Sequence, residues 1–347
     1  MNISGWLLRG TVHCTAILES RNSEDPGDER DRRLGSHSYY DMWLITEIFV
    51  VFFKILGTIF ESIFRKIVPL KKKDISGQTV LITGAGGGLG IQLAIAFSKQ
   101  GASKLILWDI NEEANERTAS QVRALGKEAV TYTCDCCQRD EVYRVAELVK
   151  QEHGFVDILV NNAGILSGKR LLSLTDEQIQ KTIELNVLAN FWTTRSFIPQ
   201  MMERNHGNIV TISSSAGSFP CAYLIDYCTS KHGSVGFTEA LHRELYVLGY
   251  DGINTTLVQP FFIDTGISWY PKARFPKLNP ILKPDCAANE IVSAVLCDEK
   301  QVFLPRNLAV SLALKAILPI KARYILNDFL GLGIDEHYPR PDAKKTN

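Results

Sequence analysis

The stretch QTVLITGAGGGLG, residues 78–90, decides the fold class of this 347-residue chain. It joins a short apolar run to a cluster of glycines, and a helical pattern begins at residue 89. A glycine turn of this kind lets the backbone approach a pyrophosphate, and the free N–H groups of the following helix attract that anion. The stretch therefore predicts a dinucleotide site. Four of its residues are expected to contact the cofactor: Gly84, Gly88, Leu89 and Gly90.

Apolar runs alternate with helical patterns beyond the glycine turn. The further predicted strands are 104–109, 128–133, 156–161, 207–213 and 253–259. Helical patterns lie between them, as at 111–126, 138–152 and 174–190. This alternation is typical of a parallel, doubly wound sheet with helices on both faces. We expect one α/β domain with a Rossmann sheet over residues 74–306.

Asp109 ends the second predicted strand, 19 residues after Gly90. A carboxylate at this position accepts hydrogen bonds from the adenosine ribose and repels a 2′-phosphate. The next two residues are Ile110 and Asn111, so no arginine follows directly to neutralise such a phosphate. The sequence therefore favours NAD over NADP as the cofactor.

Tyr227 and Lys231 are four residues apart in the segment DYCTSK, residues 226–231, so they share a helix face. An isolated pair of this kind is usually two surface side chains. Here Ser214 ends the fifth predicted strand, at the sheet edge where ligands bind. A nearby cation lowers the pKa of a phenol from its ordinary value of about 10, so Tyr227 can take a proton from an alcohol. Ser214 would donate a hydrogen bond to the reacting oxygen, and Asn186 could hold a water that links Lys231 to solvent.

Five sequence features together resemble the short-chain dehydrogenase/reductase family over residues 76–270: TGAGGGLG at 83–90, NNAG at 161–164, Asn186, Ser214 and Tyr227-xxx-Lys231. The resemblance implies a catalytic tetrad of Asn186, Ser214, Tyr227 and Lys231. It also implies further contacts to the cofactor, from Asp135, Asn162, Tyr227, Lys231, Pro260, Ile263 and Thr265. Phe261 departs from the family, in which a Pro-Gly pair is common after the sixth strand.

Shorter stretches such as LWDIN, TYTCD and TTLVQPFFIDTG are similar to the membrane-bound retinol dehydrogenase subgroup, over about residues 42–335. This similarity implies NAD-dependent oxidation of a lipophilic alcohol, above all all-trans-retinol to retinal. The subgroup is closely related to 17β-hydroxysteroid dehydrogenase-like proteins of lipid droplets. A hydroxysteroid or another lipid alcohol is therefore the alternative substrate. A membrane-bound scaffold that binds NAD(H) without catalysis is a third hypothesis. The intact Ser214, Tyr227 and Lys231 argue against it. The resemblance also makes a homodimer possible.

Residues 42–73 contain a Phe-rich apolar segment that ends in three lysines. Its charged residues Glu47, Lys54 and Glu61 recur every seven positions and leave a wide apolar helix surface. We interpret it as a membrane anchor, which either spans the membrane or lies in its interface, rather than as a soluble core helix. Lysines on its C-terminal side indicate a cytosolic catalytic domain, on the endoplasmic reticulum or lipid droplets.

The two ends of the chain differ from the predicted domain. Residues 1–41 are charged and lack an apolar stripe over 19–33, so we interpret them as a disordered or variable extension. Residues 307–347 are predicted to form a second membrane-associating segment and a tail. The proline-rich region after Thr265 is either a lid over an apolar substrate or an ordinary loop.

Charge and cysteine content exclude several functions. Lys plus Arg and Asp plus Glu both number 38, so no net charge attracts the chain to nucleic acid. The eight cysteines lack the spacing of a disulfide framework, which indicates reduced thiols in the cytosol. Cys134, Cys136 and Cys137 have no histidine or second cysteine pair nearby in sequence, so we expect no metal site.

Overall fold

The computed structural model describes residues 29–67, 71–266, 271–272, 274–277, 279–331 and 333–334. Residues 1–28 of the predicted extension, the tail from 335 and part of the region after Thr265 lie outside the described residues. The chain divides into two compact units, and the second begins at Lys71.

The described part of the first unit is one helix, α1, over Glu29–Ile67. It includes residues 29–41 of the stretch that we interpreted as a disordered or variable extension, and the Glu and Arg residues there are strong helix formers. Within α1, the 19 residues Trp43–Glu61 are long and apolar enough to cross a membrane. Large side chains such as Phe49, Phe53 and Phe60 are exposed there. This part of α1 is therefore a candidate membrane anchor.

Nine strands are described in the second unit, and seven of them form one parallel sheet. They are β1 (Thr79–Thr83), β2 (Lys104–Asp109), β3 (Glu128–Thr133), β4 (Ile158–Asn161), β5 (Gly207–Ile212), β6 (Ile253–Pro260), β7 (Pro271–Lys272), β8 (Gln301–Leu304) and β9 (Gly333–Ile334). The sheet order is β3-β2-β1-β4-β5-β6-β8, and every pairing in it is parallel. β7 and β9 form a separate antiparallel pair. The sequence predicted the first six strands of the large sheet but missed β8, whose four residues give too short a pattern.

Helices lie between the strands of the sheet and, as α9 and α10, after its last strand. They are α2 (Gly88–Lys99), α3 (Glu112–Ala124), α4 (Arg139–His153), α5 (Asp176–Ile183), α6 (Ala189–Arg204), α7 (Ile225–Leu248), α8 (Pro284–Leu296), α9 (Leu308–Ile317) and α10 (Ile320–Leu330). A π-helical segment, Glu184–Leu188, joins α5 to α6. The helix predicted over 174–190 therefore continues to Arg204.

Both faces of the sheet are covered by helices. Val80 and Ile82 of β1 pack in a core with Phe97 of α2, whereas Leu81 points to a second core with Phe197 of α6. This alternation follows from the two-residue period of a strand. Residues of α3 and α8 join the first core, and residues of α4 and α7 join the second. The structure thus confirms the predicted doubly wound α/β fold.

The turn between β1 and α2 needs glycine because its backbone segments nearly touch. A Cβ on Gly90 would lie 2.1 Å from the Gly84 carbonyl oxygen. Gly84 itself has φ +65°, and a Cβ there would lie 2.9 Å from Ala163 Cα. The close approach between the start of α2 and the end of β1 therefore leaves no room for a side chain.

We predict that Gly90→Ala destabilises the domain by about 1–3 kcal/mol, the usual cost of overpacking a tight contact. Gly87→Ala is the matched control, because its Cβ would have no neighbour closer than 4.0 Å. Thermal or denaturant unfolding of the full-length protein measures the difference. Equal unfolding midpoints for the two variants would contradict this account of the turn.

Candidate active site

A cavity of about 560 Å³ lies at the C-terminal ends of the strands. It is lined by the glycine turn after β1, by the ends of β2, β4 and β5, and by the start of α7. In the sheet order, β1 lies between β2 and β4, which is the point where successive connections change direction. Ligands bind at such switch points in open α/β sheets.

The structure brings almost all of the predicted site residues together around this cavity. The predicted residues that line it are Gly84, Gly88, Leu89, Gly90, Asp109, Asp135, Asn162, Ser214, Tyr227, Lys231, Pro260, Ile263 and Thr265. Asn186 is the exception and lies behind the cavity wall. Residues separated by more than a hundred positions in sequence are thus placed around one site.

Asn162 fixes the glycine turn to the end of β4. Its side-chain amide donates hydrogen bonds to the carbonyl oxygens of Thr83, at 2.9 Å, and Gly84, at 3.1 Å. On the opposite side, a Cβ on Gly88 would lie 2.4 Å from Thr265 Cβ. The segment after β6 therefore packs directly on the turn. Together these contacts form a narrow backbone cradle, which fits the phosphates of a dinucleotide.

Asp109 is held in place by two backbone amides. Its carboxylate oxygens accept hydrogen bonds from Gly86 N–H and Asn111 N–H, each at 2.8 Å. A carboxylate oxygen can accept more than one hydrogen bond, so the side chain still has acceptor capacity towards the cavity.

Ser214, Tyr227 and Lys231 form the polar centre of the cavity. The Ser214 hydroxyl and the Tyr227 phenol both line the cavity, and Ser214 acts to lower the pKa of the phenol. Lys231 is buried, with its Nζ 5.6 Å from the centroid of the Tyr227 ring and donating to the Ile212 carbonyl oxygen at 2.9 Å. Tyr227 and Lys231 lie one turn apart on α7, and Ser214 follows the end of β5. The cavity therefore contains a phenol, a cation and a hydroxyl close together.

Burial controls the ionisation of this centre. It raises the pKa of Tyr227 to about 12, while the hydrogen bond from Ser214 acts in the opposite direction. Burial also lowers the pKa of Lys231 to about 8. We expected Lys231 to lower the Tyr227 pKa. The structure shows the opposite net direction, because removal of the phenol from water is the largest effect on it.

Asn186 lies in the π-helical segment, and its side-chain amide is fully engaged. Its Nδ2 donates to the Ile165 carbonyl oxygen and to Ser230 Oγ, and its Oδ1 accepts from Ile165 N–H, all at 2.9 Å. The amide therefore fastens the chain after β4 to helix α7. Its expected contribution to catalysis stays a prediction from the family resemblance.

One side of the cavity has an apolar wall that the sequence analysis missed. We call this the substrate wall; it contains Leu166, Leu224, Tyr227 and Phe262, and Ile334 of β9 packs in the same cluster without lining the cavity. The Phe261-Phe262 pair after β6 was a local signal for it. Ile334 has no such signal, because only the pairing of β9 with β7 places it there.

Comparison with known proteins is consistent with this geometry. A family model described as short chain dehydrogenase matches residues 78–273. Epidermal retinol dehydrogenase 2 from Homo sapiens is 43% identical over 287 residues, which cover 82% of this chain and 93% of that protein. The Homo sapiens 17-beta-hydroxysteroid dehydrogenase 13 is 42% identical over 286 residues, with coverages of 82% and 94%.

A solved structure shares the fold. It is a metagenomic short-chain oxidoreductase in complex with NADP, 27% identical, with a TM-score of 0.56 over 67% of this chain and 98% of that chain. The sheet, the glycine cradle and the Ser-Tyr-Lys centre agree with these similarities. The chain therefore belongs to the short-chain dehydrogenase/reductase family and is an NAD(P)-dependent oxidoreductase that acts on alcohols.

Proposed function

We propose that this enzyme oxidises a lipophilic alcohol with NAD, and that all-trans-retinol is its first candidate substrate. The apolar substrate wall beside Tyr227 is the observation that carries this proposal. It would hold a hydrocarbon chain or ring system while the hydroxyl group faces Ser214 and Tyr227. Similarity to a retinol dehydrogenase supports the retinoid, and similarity to a 17-beta-hydroxysteroid dehydrogenase supports a hydroxysteroid as the alternative.

The residues of the polar centre have distinct roles in this proposal. Ser214 donates a hydrogen bond to the substrate oxygen, and Tyr227 accepts the hydroxyl proton. Lys231, held by the Ile212 carbonyl, provides positive charge that opposes the effect of burial on the phenol. The nicotinamide cofactor, when bound in the cradle, supplies the acceptor for the hydride that leaves the alcohol carbon.

Asp109 supports NAD as the preferred cofactor. Its carboxylate is fixed by Gly86 and Asn111 at the edge of the cavity, where it would accept hydrogen bonds from the ribose. A 2′-phosphate would bring a second negative charge next to this carboxylate.

The exposed surfaces support a membrane location. Helices α9 and α10 expose several apolar side chains, including Val310, Ile317, Ile320 and Ile325. Arg274 lies over Phe329 of α10, 5.1 Å from the ring centroid, so the described part of the region after Thr265 packs on α10. Together with the candidate anchor in α1, these features support an endoplasmic reticulum or lipid-droplet surface, with the catalytic domain in the cytosol. A lipid-dissolved alcohol would enter from that surface.

We predict that Tyr227→Phe lowers kcat for alcohol oxidation by about 10²–10⁴-fold, the usual contribution of a general acid/base. Tyr246→Phe is the matched control, because Tyr246 is an exposed tyrosine on the same helix. Single-substrate kinetics on membranes that carry each variant measure the effect. Unchanged turnover in Tyr227→Phe would favour the non-catalytic scaffold hypothesis.

The rate of alcohol oxidation should rise with pH from neutral values upward. Oxidation needs the deprotonated phenol, and its raised pKa of about 12 makes that form scarce at neutral pH. The rise should level off above about pH 8, where Lys231 loses its proton and its charge no longer favours the phenolate. A pH profile of kcat/KM tests both parts. A rate that falls from neutral to alkaline pH would contradict this assignment of Tyr227.

Membranes that carry the full-length protein provide the direct test of the substrate and cofactor. We expect retinal to form from all-trans-retinol with NAD, and to form more slowly at equal concentrations of NADP. A panel of hydroxysteroids tested in parallel distinguishes the alternative substrate class. Membranes carrying Tyr227→Phe correct for background activity. If neither cofactor yields retinal, retinol is excluded as the substrate.

A further inference from the structure

We propose that Cys221 and Cys228 are a redox-sensitive pair, which a hydroperoxide converts to a disulfide and thereby switches off the active site. Only the loss of activity in this proposal depends on the proposed function; formation of the bond does not. Both cysteines are free thiols in the structure.

The two thiols lie together beside the catalytic centre. Cys221 is partly exposed and lines the cavity, and Cys228 is the residue that follows Tyr227 in α7. Both side chains belong to the same packed cluster beside Tyr227. Cys228 Sγ also lies 4.0 Å from the Cys221 carbonyl oxygen. The two cysteines are therefore direct neighbours, and a local movement would bring their sulfurs to the disulfide bond length of about 2.05 Å.

Cys228 is the better nucleophile of the pair. The hydrogen bond from Cys221 lowers the pKa of the Cys228 thiol, and the same contact raises that of Cys221. Cys221 lines the cavity, so a small oxidant that enters the cavity reaches the pair there. Thiolate character and access are the two properties that make a cysteine sensitive to oxidation.

The chemistry balances with a hydroperoxide as the oxidant. With hydrogen peroxide, the Cys228 thiolate attacks one peroxide oxygen, the O–O bond breaks and one water leaves, which gives a sulfenic acid. The Cys221 sulfur then attacks the Cys228 sulfur, the S–O bond breaks and a second water leaves. Two electrons pass from the two thiols to the peroxide. A dithiol reductant reverses the change by thiol–disulfide exchange.

The new bond would alter the positions of both catalytic oxygens. Cys228 is covalently next to Tyr227, and Cys221 belongs to the connection between Ser214 and α7. The disulfide would pull the connection between Ser214 and α7 towards that helix. This movement would change the distance between the Ser214 hydroxyl and the Tyr227 phenol. Because a shift of about 1 Å can cost about 10²-fold in rate, the oxidised enzyme should lose most of its activity.

A second pair of thiols provides an internal comparison. Cys134 and Cys136, on either side of Asp135, are also free thiols that line the cavity, but both are almost completely buried. Trypsin separates the two pairs, because Cys221 and Cys228 fall together in the peptide 205–231 and the other pair falls in 128–139. Mass spectrometry without reduction therefore tells which pair has been oxidised.

The experiment treats membranes that carry the full-length protein with hydrogen peroxide and then blocks free thiols. We expect the peptide 205–231 to become two hydrogens lighter, and the activity to fall in proportion to that fraction. A dithiol reductant should restore both. The variants Cys221→Ser and Cys228→Ser cannot form the disulfide, so each should keep its own starting activity under the oxidant. The control is Cys286→Ser, at an exposed site on α8, which should lose activity like the unmodified chain.

Two results would overturn the proposal: an unchanged mass of peptide 205–231 under oxidation that modifies other cysteines, or full activity in a population that carries the disulfide. If one serine variant fails to fold, the other gives the same comparison. If the reduced protein oxidises no alcohol at all, the proposed function fails. The mass shift still decides whether the pair forms a disulfide.

Discussion

The contact between Gly90 and the Gly84 carbonyl oxygen is the constraint on which the rest of the domain depends. With no side chain at either position, α2 can start directly above the end of β1, and its free N–H groups face the cavity. Asn162 then ties β4 to the same turn, and Thr265 packs on it from the other side. The ends of three strands that are distant in sequence are thereby held around one cradle. The remaining site residues are positioned relative to that cradle.

The polar centre combines two opposing electrostatic effects. Burial disfavours the charged forms of both Tyr227 and Lys231, which is why their pKa values move apart, to about 12 and about 8. Attraction between a phenolate and an ammonium acts against burial. The catalytic competence of the pair therefore depends on a balance between burial and attraction. Any change in solvent access to the cavity shifts that balance. This sensitivity connects the apolar substrate wall, which excludes water, with the chemistry at the hydroxyl group.

Local sequence patterns were sufficient to predict the sheet and most of the site. Six strands carried clear apolar runs, and the glycine turn, Asp109, Ser214 and the Tyr227–Lys231 pair all have short-range signals. Features that arise only from tertiary packing were missed. β8 is short, Ile334 is placed by its pairing with β7, and the net direction of the Tyr227 pKa depends on burial, which spacing along a helix does not show. In residues 29–41 of α1, Glu and Arg favour a helix despite the charged composition.

The position of Ile334 has a consequence for biosynthesis. Ile334 of β9, late in the sequence, packs in the cluster that forms the substrate wall, whereas the candidate anchor in α1 is made near the beginning. Since chains emerge from the ribosome N-terminus first, the anchor would reach a bilayer while the substrate wall still lacks this packing partner. The nucleotide cradle, encoded earlier, can assemble before Ile334 is made. Maturation of the pocket would therefore be a late, post-translational step that takes place when the polypeptide is already at the lipid surface.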